Sequence, residues 1–242
     1  MNLPQVFTDQ LQKKSGLLML AAGKDHDAAP MLKMFADKFG EGNSRRCLLI
    51  QREDLRRDQI QQKTSILNYN QLGTAPVREL LLKSDVIIME DVLSLEELDL
   101  AIYLAEAGSL VLIHWFSRSI MMTLQRVMLW LEPHQREAMF WRLAESLHLA
   151  ASVHNVRSLE GNQMKAWELV LMNSELRGLL KSADMKSFES VISTSTQKSV
   201  GTVSLNQSLL QLLIQRKIDI KAAFEASLDP EDMDALMKKV GI

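Results

Sequence analysis

The chain of 242 residues is short of several things, and each shortage closes a class of function. One cysteine, Cys47, leaves no partner for an intramolecular disulfide and no cysteine-based zinc cluster. Cations show no excess: 28 Lys and Arg face 30 Asp and Glu, and the pI is near 6.2, so the charge reserve of a general nucleic-acid binder is absent. The longest apolar runs, Gly16–Gly23 and Ser109–Phe116, fall far below the ~20 residues that a spanning helix needs. The opening Met-Asn-Leu-Pro-Gln-Val-Phe has no basic leader segment, and no Pro/Gly/Ser-rich linker, repeat or low-complexity tract divides the chain. With 47% hydrophobic residues and a formal charge of −2, disorder is excluded as the dominant state. The composition reads as cytoplasmic and globular, without insertion into a membrane.

What is present alternates. Leu3, Val6, Phe7 and Leu11 sit at helical spacing over residues 3–14, and the run Leu17–Ala21 reads as a strand covered on both faces. A helix over 28–39 is stopped by Gly40 and Gly42. Strands follow at 47–50, 85–89 and 110–113, with a helix over 95–107 capped by Ser94 between the last two. This order implies βαβ units and a mostly parallel sheet. Two long amphipathic helices are expected over 117–131 and 133–149, then a hairpin of 151–157 with 164–172 turning at Glu160-Gly161-Asn162. The tail reads as helices over 174–182, 186–196, 204–216 and 219–227, and a last one capped by Asp229 with Pro230 in its first turn.

The order of segments, with Asp85-Val86-Ile87-Ile88-Met89-Glu90-Asp91, Ala105-Glu106-Ala107-Gly108-Ser109-Leu110-Val111, Ala144-Glu145-Ser146-Leu147, Trp167-Glu168-Leu169 and Leu205-Asn206-Gln207-Ser208-Leu209 in sequence, resembles the C-terminal ATPase domain of the type IV pilus retraction (twitching-motility, PilT-like) ATPases of the secretion ATPase superfamily. The resemblance runs over roughly residues 15–232. It implies an α/β fold with a RecA-like P-loop NTPase core: an N-terminal helix over 1–14, an ATPase-type core over 15–172, and a helical C-terminal subdomain over 173–242 packed on it.

Against that family the chemistry departs. A P-loop curls backbone N–H groups around phosphates, reaches them with a Lys and holds Mg²⁺ with a hydroxyl. The family's G-P-T-G-S-G-K-S-T segment corresponds to Ala22-Gly23-Lys24-Asp25-His26-Asp27-Ala28-Ala29-Pro30. Ala28 takes the Lys position, Ala29 the hydroxyl position, and Asp25 and Asp27 replace two glycines. Lys24 falls at the front of the loop, where it cannot reach from the helix start. Carboxylate repulsion with the lost ammonium weakens nucleotide affinity by on the order of a thousandfold or more. Glu53 and Asp54 match the family's acidic strand end and Asp91 its Walker-B glutamate. Asn70 and Leu93 stand where arginines are expected, and Phe116 where a histidine is. The stretch from Gly73 to Asp85 is shorter than the family's, and no PAS-like domain precedes the core in this chain, so the family-type hexamer is not expected. The helix Glu175–Ser182 keeps Arg177, Leu179 and Leu180, which become candidate partner contacts.

Other clusters have plain readings. His26 between Asp25 and Asp27 reads as a solvated loop, not a metal site, and no metal is expected. His134 and His148 are too far apart for an i,i+4 pair, and His114 reads as a buried imidazole. The methionines and tryptophans read as core, and the Arg45-Arg46, Arg52, Arg56-Arg57 group as a solvated or salt-bridged face. The expectation is a catalytically inactive PilT-like protein with no cofactor, acting through motor ATPase subunits or an inner-membrane platform protein, and peripheral to the inner membrane only through them. Two rivals remain. One is a weak, partner-assisted ATPase that uses ATP and Mg²⁺ through Glu53, Asp54 and Asp91. The other is a cleft that holds a cation or basic peptide against Asp25, Asp27, Glu53, Asp54 and Asp91.

Overall fold

Strand β1 (Gly16–Ala22) is buried at all seven residues, because it lies inside a sheet covered by helices on both faces. The computed structural model describes residues 3–23, 29–40, 45–52, 64–72, 75–194 and 201–242. Among these, β2 (Cys47–Gln51), β3 (Thr64–Asn68), β4 (Val86–Met89), β5 (Leu110–Phe116), β6 (Leu147–Arg157) and β7 (Gln163–Leu171) complete a seven-stranded sheet of order β3-β2-β4-β5-β1-β6-β7. All neighbouring pairs are parallel except the β6–β7 hairpin.

Alternation along the strands divides the core in two. Leu18, Leu20 and Ala22 face α1 (Gln5–Leu11) and α2 (Ala29–Gly40), where Phe7 stacks on Phe35 at 5.3 Å and tilts against Trp167 at 5.9 Å. Phe7 and Phe35 are fully buried, each contributing about 2–3 kcal/mol of transfer free energy. Leu17 and Met19 face the other layer, built by α4 (Leu95–Glu106), α5 (Ile120–Trp130), α6 (Pro133–Ser146), α7 (Ser174–Lys181) and α8 (Met185–Thr194). A third apolar cluster joins Val156 and Ala166 of the hairpin to α9 (Leu205–Ile214), α10 (Ile220–Ala226) and α11 (Pro230–Lys239). Ser94 and Asp229 cap α4 and α11 as their sequence positions predict, accepting from the N–H groups of Glu97 and Asp232.

Three features differ from the sequence reading. Edge strand β3 and helix α3 (Ala75–Lys83) have no counterpart in it, because Thr64-Ser65-Ile66-Leu67-Asn68 carries polar groups where a buried strand would be apolar. Helix α6 stops at Ser146, and Leu147, Leu149 and Ala150 are already paired to β1. Trp115 is buried and stacks on Trp130 at 5.2 Å, whereas Trp141 is half exposed under the Lys181 ammonium.

Gly16 opens β1 at φ +115°, and a Cβ there would lie 2.0 Å from the His148 ring on β6. Gly16→Ala should destabilise the protein by about 2 kcal/mol or more in urea unfolding, from a left-handed backbone plus a clash. Gly161→Ala at the hairpin turn, also at positive φ but with open space around it, should lose only about 1 kcal/mol.

Candidate functional site

In an open parallel sheet, ligands collect in the crevice beyond the carboxyl ends of the strands. Here β1 ends at Ala22, Gly23 follows, and α2 begins at Ala29 with Pro30 in its first turn. Ala29 therefore stands at a helix start, the place a P-loop gives to its hydroxyl. Lys24, Asp25, His26, Asp27 and Ala28 lie outside the described residues, as do Glu53 and Asp54.

The register of the sheet assembles a polar row that no local sequence signal marks. Gln51 pairs with Asn68, Ile50 with Met89, and Met89 with Ile113. One residue further on, Asn68, Gln51, Glu90 and His114 therefore stand in line across β3, β2, β4 and β5. Two residues earlier Leu49, Ile88 and Leu112 belong to the α2-side layer, so alternation turns this row to the same face of the sheet as α2. Gln51 and His114 are almost wholly buried, and Gln51 Oε1 and His114 Nε2 have no hydrogen-bond partner among the described residues. Such groups are rare in folded proteins and cluster at working sites. The clue in the sequence was slight: each is the first polar side chain after an apolar run.

Asp91, matched above to the Walker-B position, has φ +46°, a conformation that L side chains adopt at a cost. Its Oδ1 approaches His114 Nδ1 to 2.6 Å, close enough for charge attraction but off the line of a hydrogen bond. The Asp91 carbonyl accepts from Arg52 Nε at 2.9 Å, and Arg52 Nη2 donates to both Glu97 oxygens at 2.7 and 2.6 Å. The Arg52 guanidinium also lies 4.3 Å from the centre of the Tyr69 ring. Tyr69 donates its hydroxyl to the Glu90 carbonyl at 2.7 Å, and its burial raises the phenol pKa strongly. Asn68 Nδ2 donates to the Arg52 carbonyl at 2.9 Å, and Glu97 also accepts from Leu93 N–H at 2.7 Å. Arg52, grouped above with the salt-bridged face, is thus partly buried and fully engaged beside the crevice.

The remaining positions sit as follows. Asn70 is exposed in the short turn Tyr69–Gln71, Leu93 is half exposed, and Phe116 shows its ring at the end of β5. Arg118, absent from the sequence reading, is exposed, and its Cγ lies 3.2 Å from where a Cβ on Gly23 would be. On α7, Arg177 donates to the carbonyls of Ala144 and Glu145 that end α6. Leu180 is wholly buried and Leu179 partly so, which leaves Ser174, Glu175 and Gly178 as exposed positions of that helix.

A second cavity of about 590 Å³ lies between the hairpin and the helical tail, its wall carrying Glu168, Glu189, Asp229, Glu231 and Asp232. Glu168 on β7 accepts from Ser152 Oγ at 2.8 Å and from Ile120 N–H at 3.2 Å, which ties β6 and β7 to the start of α5. Desolvation raises its pKa, reinforced by Glu189 and opposed by those two hydrogen bonds.

No protein-family profile matches the sequence, and no curated protein matches it. Solved structures do. The pilus retraction motor PilT with bound ADP superposes with a TM-score of 0.80 at 20% identity, over 97% of this chain and 68% of that one. The DotB ATPases of Legionella pneumophila and Yersinia pseudotuberculosis superpose at 0.73 and 0.74, with 15% and 17% identity, over 92% and 94% of this chain. This is the RecA-like fold of the pilus and secretion motor ATPases. The chain spans 63% and 61% of the two DotB proteins. At these identities the likeness is one of fold.

Two outcomes follow from the network. Glu97→Ala leaves a partly buried guanidinium without its carboxylate and should destabilise by about 1–3 kcal/mol in urea unfolding, whereas Asp85→Ala, which removes the exposed pair with Arg46, should stay within about 1 kcal/mol. Glu168 keeps its proton to higher pH when folded than when unfolded. Its contribution is therefore complete below the ordinary glutamate range and lost as pH rises through the raised folded value. Glu168→Gln should accordingly gain stability relative to the parent at pH 7 compared with pH 4, read from unfolding midpoints at the two pH values.

Proposed function

We propose that this chain is a catalytically inactive relative of the pilus retraction and secretion ATPases that works by contact, as an interaction or regulatory component of a type IV pilus or type II secretion-type motor. One observation carries the reading: the segment joining β1 to α2 ends in Ala28-Ala29, where nucleotide chemistry needs an ammonium and a hydroxyl. A methyl group neither neutralises a phosphate nor coordinates Mg²⁺. The groups around the crevice support it. Gln51, Glu90, Asp91 and His114 supply no permanent cation, and Arg52 is held by Glu97, the Asp91 carbonyl and the Tyr69 ring. The apolar layers that shape the fold are complete, so surfaces able to meet motor subunits persist where the chemistry has gone. Active motor ATPase subunits and an inner-membrane platform protein are the partners this reading names, by analogy of fold, and ATP with Mg²⁺ is not a cofactor under it.

A second reading rests on Arg118. Arg118 is an exposed cationic residue whose side chain passes beside Gly23, and with Asp91 it supports a weak, partner-assisted ATPase. Calorimetric titration separates the two. The first reading expects no heat from Mg·ATP at micromolar concentrations and no phosphate release with any motor partner present. A micromolar Kd overturns it, and phosphate release abolished by Asp91→Asn establishes the second.

A further inference from the structure

The opposite edge of the sheet, where the strands begin, carries a cavity of about 620 Å³ bordered by Gln12, Lys14, Lys38, Phe39, Arg45, Asp85 and Gly108. That volume suits a small ligand. Its charge is one-sided in a chain whose net charge is −2. Lys14 follows α1 and Lys38 stands in the last turn of α2, both exposed. Among the described residues, no carboxylate lies at ion-pair distance from either ammonium. The one acid among the described residues of the wall, Asp85, is taken by Arg46, whose backbone N–H donates to it at 2.7 Å and whose Nε donates at 3.3 Å. Those hydrogen bonds hold Asp85 below the ordinary aspartate range, so it stays charged and occupied.

Carbonyl groups at helix C-termini attract cations, and Lys38 alone would need no other explanation. Lys14 does. Arg45 by itself donates to the carbonyls of Leu11, Lys13 and Lys14 at 3.3, 2.8 and 3.4 Å, and its guanidinium lies over the Phe39 ring at 5.4 Å. The end of α1 is thus closed by one tethered guanidinium, and the Lys14 ammonium is not needed for it.

We infer that this cavity binds a multiply charged anion of the phosphate class, with Lys14 and Lys38 closing on it from two walls and Arg45 fixed between them. The site lies at the far end of the strands from the RecA-like crevice and is independent of whether that crevice takes a nucleotide. The phosphate has two possible sources, a soluble phosphate compound or the headgroup of an anionic lipid.

The test is calorimetric titration of the full chain with pyrophosphate in Mg²⁺-free buffer, beside cosedimentation with phosphatidylglycerol vesicles. Two double variants of equal charge change are compared: Lys14→Glu with Lys38→Glu in the cavity, and Lys217→Glu with Lys239→Glu on the helical tail. All four lysines are exposed, so folding is retained and is checked by circular dichroism. The expected result is pyrophosphate or vesicle binding that the cavity variant weakens by about tenfold or more and the tail variant leaves within about twofold, with loss in rising salt. Vesicle binding that pyrophosphate displaces assigns the lipid source; pyrophosphate binding without cosedimentation assigns the soluble one. Absence of binding by both probes, or equal weakening by the two variants, overturns the assignment.

Discussion

The structure depends on the burial of β1 between β5 and β6. A strand with parallel neighbours on both sides and a helix layer on each face has no place for a polar side chain, and Gly16–Ala22 offers none. Because β1 is pinned on four sides, its end at Ala22 is fixed, and α2 packs over Leu18 and Leu20. The same pinning fixes the level at which β5, then β4, then β2 end. The contents of the crevice are therefore a consequence of hydrophobic register more than of any local motif.

That register explains why polar groups gather at the described part of the crevice. Gln51, Glu90 and His114 are the first polar side chains after three apolar runs and stand at one level, and each pair of neighbours is set by hydrogen bonds made several residues earlier in the hydrophobic part. Arg52, the guanidinium one residue beyond, is drawn away by a bidentate carboxylate, a backbone carbonyl and an aromatic face at once. Charge-assisted bonds of this kind are among the stronger polar contacts, and each is made without a ligand. Lys14 and Lys38, at the opposite edge, border an open cavity whose described carboxylate, Asp85, is held by Arg46.

Much of the architecture was legible beforehand. Continuous apolar runs marked β1, β2, β4 and β5, Ser94 and Asp229 marked helix starts, and Gly161 marked the hairpin turn. These signals work because they are local: a strand buried on both faces is largely apolar, and an N-cap stands immediately before its helix. β3 and α3 escaped because an edge strand and a half-exposed helix satisfy weaker constraints. The end of α6 escaped because Leu147–Leu149 fits a helical period and a strand equally, and β1 decided for the strand. Arg177 and Leu180, attractive as surface contacts on helical spacing, are engaged inside: one on the carbonyls ending α6, the other in the core.

The sequence by itself determined the type of every side chain, the methyl groups of Ala28 and Ala29 included, and it determined the parallel sheet through its run of buried strands. Only the tertiary structure decided which polar groups meet. Gln51, Glu90 and His114 are brought into line through three strands, Arg52 finds Glu97 across 45 residues of chain, and Lys14 and Lys38 come to border one cavity. The physical reason is the same in each case: side-chain type is a property of a position, whereas proximity is set by strand register and helix packing over distances that no local pattern encodes.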